Sequence, residues 1–144
     1  MKRKIYTIIT FLLVVLMSAC SFVACNKEGS AKAEISSKTE TMVVIKVNET
    51  EGFATLLDAM TYLKEQGELQ FELKDGMVSS ISGKENPADW SACWMLYTSD
   101  VEKSNSEWGT VEYDGNLYGS ASLGAEALEV CVECYYIWSF DSFI

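Results

Sequence analysis

The residue types that most often carry catalysis or metal binding are sparse in this 144-residue chain. It has no histidine, which excludes Ser-His-Asp and Cys-His nucleophiles and every imidazole metal site. The sequence also lacks a G-x-S-x-G elbow, a phosphate-binding P-loop and a dinucleotide fingerprint. No EF-hand loop is present to bind calcium. We therefore expect no enzymatic activity, no metal and no cofactor.

Carboxylates are the one abundant type of side chain that could act as a general acid or base, with 21 Asp and Glu residues. Asp89, Glu107, Glu112 and Asp114 lie near aromatic residues in the sequence, and a carboxylate pair is the arrangement that hydrolases use for acid/base work. No spacing singles out one pair, and a solvated acidic surface accounts for the same residues. A carboxylate-dependent hydrolase is the weakest of the functional hypotheses.

Three cysteines follow the N-terminal region, at Cys93, Cys131 and Cys134. The last two have C-x-x-C spacing, but they lie in a predicted strand, where residues three apart point to opposite faces. They are therefore not expected to pair with each other or to chelate one metal. One alternative is a cross-strand disulfide from Cys93 to Cys131 or Cys134. The other is that the thiols are buried as small apolar groups.

Aromatic residues are the best candidates to form a binding surface. The chain has 4 Trp and 7 Tyr, and buried Trp and Tyr need partners for their N–H and O–H groups, so one small core is not expected to hold them all. Core packing is the alternative for any single one. The candidates for a face that binds a carbohydrate, a corrinoid or a protein lie near predicted strand ends or loops. They are Trp94, Tyr97, Trp108 and Tyr118.

The N-terminus has the layout of an export signal. Three basic residues at positions 2–4 precede an uncharged run that continues to Ala24, and Cys25 follows directly. Small residues before a cysteine are typical of the bacterial lipobox, so the sequence predicts a lipoprotein signal peptide over residues 1–24 and lipid attachment at Cys25. Cys20, also preceded by small residues, is the alternative. An uncleaved membrane helix is the other interpretation of about 20 apolar residues.

Lipid attachment would place the folded part at the cell membrane, on its extracytoplasmic face. The buried acyl chains hold the protein there without a basic patch. The chain has a net charge of −10, which repels phosphate backbones and excludes nucleic acid as a partner. The expected partners are the membrane through the lipid and an extracellular protein, glycan or small molecule.

Composition divides the mature chain into a tether and one domain. Residues 25–41 are rich in Ser, Lys and Glu and carry almost no large apolar side chain, so we expect a disordered tether. Residues 42–144 are expected to form a single domain.

One amphipathic helix is predicted within that domain. Its apolar residues recur at helical spacing, and they are Phe53, Leu56, Leu57, Met60 and Leu63. Thr55 and Asp58 form a capping box at its start, and Gly67 suits its end.

The rest of the domain is β in character. We predict strands at 42–47, 69–74, 77–81, 90–97, 108–113, 116–118 and 128–140, with loops at 82–89, 101–107 and 120–127. Asp75-Gly76 and Asp114-Gly115 predict hairpin turns. Residues 90–97 are apolar on both faces, which favours a central strand. The fold class is therefore α+β, with one helix packed against small antiparallel sheets.

Four segments together resemble the transcobalamin C-terminal-like domain, a domain of unknown function in bacterial surface proteins. They are TLLDAM, DGMVSSISG, CWMLYTSD and ALEVCVECYYIWSF. The resemblance implies a helix lying against antiparallel sheets and a ligand face. The helical barrel that holds the corrinoid in vitamin B12 carriers is absent, as is any imidazole for cobalt. The resemblance thus favours a non-enzymatic binding module, with capture of a corrinoid or other small molecule for a separate transporter as the alternative.

Overall fold

A computed structural model describes residues 30–143. The predicted signal peptide and both candidate lipidation sites, Cys20 and Cys25, lie outside these residues. Within them, no helix has the length and hydropathy needed to cross a bilayer.

Nine strands and one α-helix make up the described fold. In chain order they are β1 (Ala33–Lys38), β2 (Met42–Val47), α1 (Leu56–Glu65), β3 (Phe71–Lys74), β4 (Met77–Ile81), β5 (Lys84–Glu85), β6 (Ala92–Thr98), β7 (Ser104–Tyr113), β8 (Asn116–Ala121) and β9 (Cys134–Ser142). A short 3-10 helix, Val101–Lys103, joins β6 to β7. One sheet has six strands in the order β1-β2-β9-β6-β8-β7, and the other has three in the order β3-β4-β5. All pairs are antiparallel, so the coarse α+β prediction is confirmed.

Leu56, Met60 and Leu63 of the predicted apolar stripe lie on the buried face of α1, whereas Leu57 is only partly buried and Phe53 precedes the helix. Leu56, Ala59, Met60 and Leu63 are fully buried and belong to the main core, together with Val43, Ile45 and Val47 of β2. Helical periodicity puts these side chains on one face, and burial of that face against the sheet fixes the helix in place.

The six-stranded sheet is buried on both faces near its centre. Trp94 and Leu96 of β6 belong to the main core on the α1 side. Tyr97 joins Val44 and Ile137 in a second cluster, because successive residues of a strand point to opposite faces. The predicted central strand is confirmed, since β6 lies between β9 and β8.

Three hairpin turns have both central residues at positive φ, as type I′ turns require. Asp75-Gly76 and Asp114-Gly115 were predicted from their sequence, and the structure confirms them. The third is Ser82-Gly83, which turns β4 into β5. It lies in the segment predicted to be a loop, because Ser-Gly before a two-residue strand carries a weaker hairpin signal.

The prediction of a disordered tether over residues 25–41 is wrong for β1. Ala33 pairs with Val47 and Ile35 with Ile45, and Ala33 is buried. An edge strand needs apolar residues on one face only, while its backbone bonds come from the neighbour. The polar composition concealed this strand because only Ala33 and Ile35 contribute apolar surface.

Several strand boundaries also differ from prediction, and the largest differences are at the starts of β7 and β9. Residues 104–107 were expected in a loop, but they begin β7, whose register with β8 shifts between Asn105 and Thr110. Residues 128–133 were expected in the closing strand, but β9 begins only at Cys134. There the Leu128 carbonyl accepts a bond from Leu56 N at 2.8 Å, so this segment binds the start of α1 instead of extending the sheet.

Replacing Asp58 with alanine should lower the free energy of unfolding by about 1 kcal/mol in urea denaturation. Its carboxylate accepts hydrogen bonds from the backbone N–H groups of Thr55 at 2.9 Å and Ala54 at 2.8 Å, which have no partner within α1. Glu65→Ala is the matched control, because it removes an exposed carboxylate from the other end of the same helix. The control should leave stability unchanged or slightly raised, since acids are unfavourable at a helix C-terminus.

The same substitution should remove a pH dependence. The backbone bonds from Thr55 and Ala54 lower the pKa of Asp58 in the folded protein. Its stabilising contribution is therefore full above the unfolded pKa of about 4 and is lost as the pH falls through the lower folded pKa. The stability difference between wild type and Asp58→Ala should close below about pH 4. A difference that stayed constant in acid would contradict this assignment.

Candidate functional site

The four aromatic residues predicted to form a ligand face do not lie on one face. Trp94 is buried in the main core, where its Nε1 donates to the Lys84 carbonyl at 2.8 Å. Tyr97 is buried on the opposite face of the sheet. Trp108 is 63% exposed. The prediction is wrong because residues 94 and 97 are three apart in a strand, which places them on opposite faces.

The face opposite α1 carries a cluster of tyrosines. Tyr118 and Tyr113 lie on the β7–β8 hairpin, with ring centroids 6.4 Å and 5.8 Å from that of Tyr135. Tyr97 donates its hydroxyl proton to Asp141. Burial raises the pKa of Tyr97, Tyr113 and Tyr118 above the ordinary value, so these side chains are neutral at physiological pH. The tyrosine cluster therefore packs the β7–β8 hairpin against the neighbouring strands.

The cysteines pair in a way that the sequence argued against. Cys131 and Cys134 form a disulfide with their Cα atoms 5.5 Å apart, whereas Cys93 is free. The expectation failed because residues 131–133 form a turn, in which Glu133 has a φ of 60°, and the strand starts afterwards. In a turn, residues three apart can face each other.

The turn that carries the disulfide, residues 131–133, contacts the sheet on both sides. The backbone N–H of Cys131 donates to the Tyr136 hydroxyl at 2.9 Å, and Lys46 Nζ lies 2.6 Å from the Glu133 carboxylate. The bridge therefore closes a turn that already has tertiary contacts, which is the arrangement of a structural disulfide.

The candidate carboxylates do not gather into a pair. Asp89 accepts hydrogen bonds from Ser91 Oγ at 2.8 Å and Ser91 N at 3.1 Å, and these bonds lower its pKa. A carboxyl with a lowered pKa is a poor general acid at neutral pH. Glu107, Glu112 and Asp114 are exposed on the β7–β8 hairpin. In residues 30–143, no group of three or more Cys, Asp or Glu side chains is placed to hold a metal ion.

A cavity of about 310 Å³ lies beside β6, and we call it the β6-edge cavity. Residues 93–96 form one wall, residues 120–125 form another, and Met77 and Val78 of β4 close a third side. Gly76, Asn86, Trp90 and Trp138 complete the lining. Of the four predicted ligand-face residues, only Trp94 contributes to it.

The cavity exists because β8 leaves β6 early. The two strands pair only at Tyr97 with Ser120 and at Thr98 with Gly119, so residues 92–96 have no strand partner on that edge. Asn86 bridges part of the gap. Its Oδ1 accepts from Trp94 N at 3.0 Å, and its Nδ2 donates to the Val78 carbonyl at 3.0 Å. This amide holds β4 close to β6 without closing the space between them.

The wall formed by residues 122–125 is also anchored. Ser122 donates through its N–H and its hydroxyl to the Lys103 carbonyl, at 2.9 Å and 3.0 Å. At the other end, the Ala125 carbonyl accepts from Leu57 N at 3.0 Å. The start of α1 and the 3-10 helix thus fix the position of this wall.

Three large apolar side chains stand exposed around the opening. Met77 is 54% exposed, Trp90 is 56% exposed and Leu123 is 48% exposed. Trp90 has a φ of 56°, in the left-handed region that a tryptophan seldom occupies, and its N–H donates to the Pro87 carbonyl at 3.1 Å. This backbone conformation costs energy, so the surrounding structure must hold Trp90 in its exposed position.

One of the residues that line the cavity has a buried hydrogen-bond donor without a partner. Trp138 is 4% exposed, and within residues 30–143 its Nε1 is the one buried side-chain nitrogen or oxygen without a partner. A buried donor left unpaired costs about 1–3 kcal/mol. The indole of Trp94, which also lines the cavity, already has its acceptor.

A second cavity of about 260 Å³ adjoins the first. The two share Met77, Val78, Asn86 and Trp90.

No protein-family model, curated protein or solved structure matches the chain. The site therefore has to be interpreted from its own geometry.

Sequence reasoning missed the β6-edge cavity because its residues come from distant segments. Met77, Trp90 and Leu123 follow no common motif, and Trp90 was placed inside the predicted strand at 90–97. The strand begins at Ala92, and Trp90 belongs to the preceding turn. The closeness of these side chains depends on how the three-stranded sheet packs beside the larger one.

Proteolysis should confirm the disulfide directly. A protease specific for glutamate cuts after Glu133, between the two bonded cysteines, so under denaturing conditions the fragments carrying Cys131 and Cys134 should stay joined until they are reduced. Cys93 should be alkylated without reduction. A fragment containing Cys93 that was joined to either other cysteine would contradict the pairing. The double variant Cys131→Ser/Cys134→Ser should lose roughly 2 kcal/mol of unfolding free energy, as expected for a short closed loop.

Proposed function

We propose that this chain is a lipid-anchored, non-enzymatic binding module that acts on the extracytoplasmic face of the cell membrane, with the β6-edge cavity as its binding site. One observation carries the binding part of the proposal: an apolar cavity with Met77, Trp90 and Leu123 exposed at its rim. Exposed large apolar side chains that gather around one concave site are typical of ligand binding.

The anchoring part follows from the N-terminal sequence. The basic cluster, the apolar run and the small residues before Cys25 support export and lipid attachment at that cysteine, with Cys20 as the alternative. A disulfide between Cys131 and Cys134 agrees with this location, because disulfides persist in oxidising compartments outside the cytoplasm.

We also propose that the domain has the transcobalamin C-terminal-like fold. The support is the order of the resembling segments along the chain. TLLDAM begins α1, DGMVSSISG covers the β3–β4 turn, β4 and the following turn, CWMLYTSD is in β6, and the final segment ends in β9. One helix against antiparallel sheets is the architecture that this resemblance implies.

Capture of a corrinoid for a separate transporter is the alternative function. A corrinoid macrocycle is too large to enter a cavity of about 310 Å³, so it would have to rest on the rim, against Trp90 and Leu123. Cobalamin therefore belongs among the probes that test the site.

Replacing Cys25 with serine should abolish labelling with a palmitate analogue and block removal of the signal peptide, so the larger precursor should stay in the membrane fraction through its apolar run. Cys20→Ser is the matched control, which should keep both the lipid and the membrane location. The opposite result would assign the lipid to Cys20. Membrane location of the wild type at its full length and without lipid label would show an uncleaved membrane helix instead.

Replacing Trp90 with alanine should weaken binding of prodan roughly tenfold, because an aromatic contact at the rim is lost. Prodan is an uncharged naphthalene ketone whose fluorescence rises in apolar surroundings, and its titration into the purified chain gives the dissociation constant. Trp108→Ala is the matched control, since it removes an equally exposed indole that does not line the cavity. Equal affinities of the Trp90 variant and wild type, or no prodan binding at all, would refute the cavity as the binding site. Displacement of prodan by cobalamin would support the corrinoid alternative.

A further inference from the structure

We propose, building on the function proposed above, that the β6-edge cavity takes a small amphipathic amine, with the apolar ring of the amine inside the cavity and its ammonium group beside the Glu126 carboxylate. The proposal names the class of ligand for this cavity. It rests on three properties of the site: an apolar lining, an exposed carboxylate without a basic partner next to that lining, and an exposed indole on the rim.

The walls of the cavity suit the apolar part of such a molecule. They consist of apolar, aromatic, Ser, Gly, Cys and Asn residues, without any Asp, Glu, Lys or Arg. An ionised group deep inside would lose its hydration with no counter-charge to compensate. A charged ligand must therefore keep its charge at the edge of the cavity, where water still reaches it.

The Glu126 carboxylate supplies a negative charge at this edge. Glu126 directly follows the wall formed by residues 120–125, and its side chain reaches Gly76, which belongs to the lining on another side. A methyl group at position 76 would lie 3.1 Å from Glu126 Oε2, so glycine leaves room for the carboxylate there. Glu126 is exposed to solvent. Its charge thus stands in water, next to two walls of the cavity.

This carboxylate has no basic partner in the part of the chain that the structure describes. The ion pairs between residues 30 and 143 are Lys46–Glu133, Lys103–Asp100 and Lys103–Glu129. A cation that arrives from solution therefore finds a counter-charge that no lysine occupies, whereas an anion is repelled.

Other charges near the cavity add to the preference for a cation. Asp75 lines the adjoining second cavity, and Asp89 precedes Trp90 in the chain. Hydrogen bonds from Ser91 lower the pKa of Asp89, so this side chain is ionised at neutral pH. Among the described residues that line the two cavities, Lys74 is the one base. The net charge of −10 also attracts cations from a distance.

The exposed indole of Trp90 favours an organic cation over an inorganic one. Trp90 is 56% exposed, and the face of an indole attracts an ammonium group, while its ring gains from contact with an aromatic ring of the ligand. Met77 and Leu123 stand exposed beside the same opening, where they can cover apolar parts of the ligand. A volume of about 310 Å³ is at the lower end of the range for small-molecule sites.

A lysine side chain on an extended peptide would bring the same charge with an apolar stem. The hydrogen bonds of Asn86 oppose a peptide strand added to the open edge of β6. Trp94 N, which would have to pair with the incoming strand, donates to Asn86 Oδ1 at 3.0 Å, and Asn86 N donates to the Ser79 carbonyl at 2.8 Å. A peptide strand would have to break this bridge, whereas a small amine leaves it intact.

Three naphthalene derivatives of matched shape test the proposal in the purified protein. Naphthylmethylamine is a cation at neutral pH, naphthylmethanol is neutral, and naphthoate is an anion. At low salt we expect the amine to bind about fivefold more tightly than the alcohol, and the anion to bind more weakly than the alcohol. Affinities come from displacement of prodan.

Glu126→Gln removes the charge and keeps the size of the side chain. It should reduce the preference for the amine over the alcohol to about twofold, which is the part that contact with the Trp90 ring supplies. Glu112→Gln is the matched control, because it changes the net charge equally at an exposed position outside the cavity lining. The control should keep the full preference. Both variants should bind prodan as the wild type does, which shows that they are folded.

A measurement on the wild type avoids dependence on any variant. Raising the salt to about 1 M NaCl shortens the screening length to about 3 Å. The preference for the amine over the alcohol should then also fall to about twofold, because the carboxylate is exposed and its charge is screened.

The outcomes separate this proposal from the proposed function. Equal binding of amine and alcohol, tighter binding of naphthoate, an unchanged preference in Glu126→Gln, or an equal loss of preference in both variants would overturn the ligand class. Loss of prodan binding in Trp90→Ala would still support the cavity in each of these cases. If a lysine-containing peptide displaced prodan and the amine did not, the small-molecule class would also be overturned. Failure of every probe, prodan included, to bind wild type would remove the proposed binding site itself.

Discussion

Strand β6 pairs with β9 along its whole length but with β8 at only two residues, and most of the remaining structure depends on this difference. Because both faces of β6 are buried, by Trp94 and Leu96 on one side and Tyr97 on the other, a shift of register would expose its apolar side chains. The strand is therefore fixed while part of its edge stays open. Asn86 and the segment at 122–125 border that edge instead of a strand, and a cavity results.

The hairpins of the smaller sheet determine what surrounds this opening. Asp75-Gly76 and Ser82-Gly83 reverse the chain twice within a few residues, which brings Met77 to the rim. The turn that follows holds Trp90 in a left-handed conformation beside it. Turns of this kind need positive φ, which few residues tolerate, so the display of apolar side chains at this site is a product of local backbone geometry.

The acidic surface and the uncharged cavity of this domain have different roles. The surface carboxylates favour solubility and repel anions, while the residues that line the cavity include no Asp, Glu, Lys or Arg. A lipid anchor at Cys25 would hold this cavity close to the membrane surface, where uncharged and largely apolar molecules accumulate.

The sequence by itself determined the features that depend on neighbouring residues: the buried stripe of α1, the Asp-Gly hairpins and the two-faced burial of β6. Helical period, positive φ and strand alternation are local properties, so composition and spacing reveal them. The sequence did not reveal β1, because its partner strand supplies the pairing. It also did not reveal the disulfide between Cys131 and Cys134, which forms because the chain turns before β9. Only the tertiary structure brought Met77, Trp90, Leu123 and Trp138 together, because their proximity depends on where β8 leaves β6 and how the two sheets pack, and no local pattern encodes either.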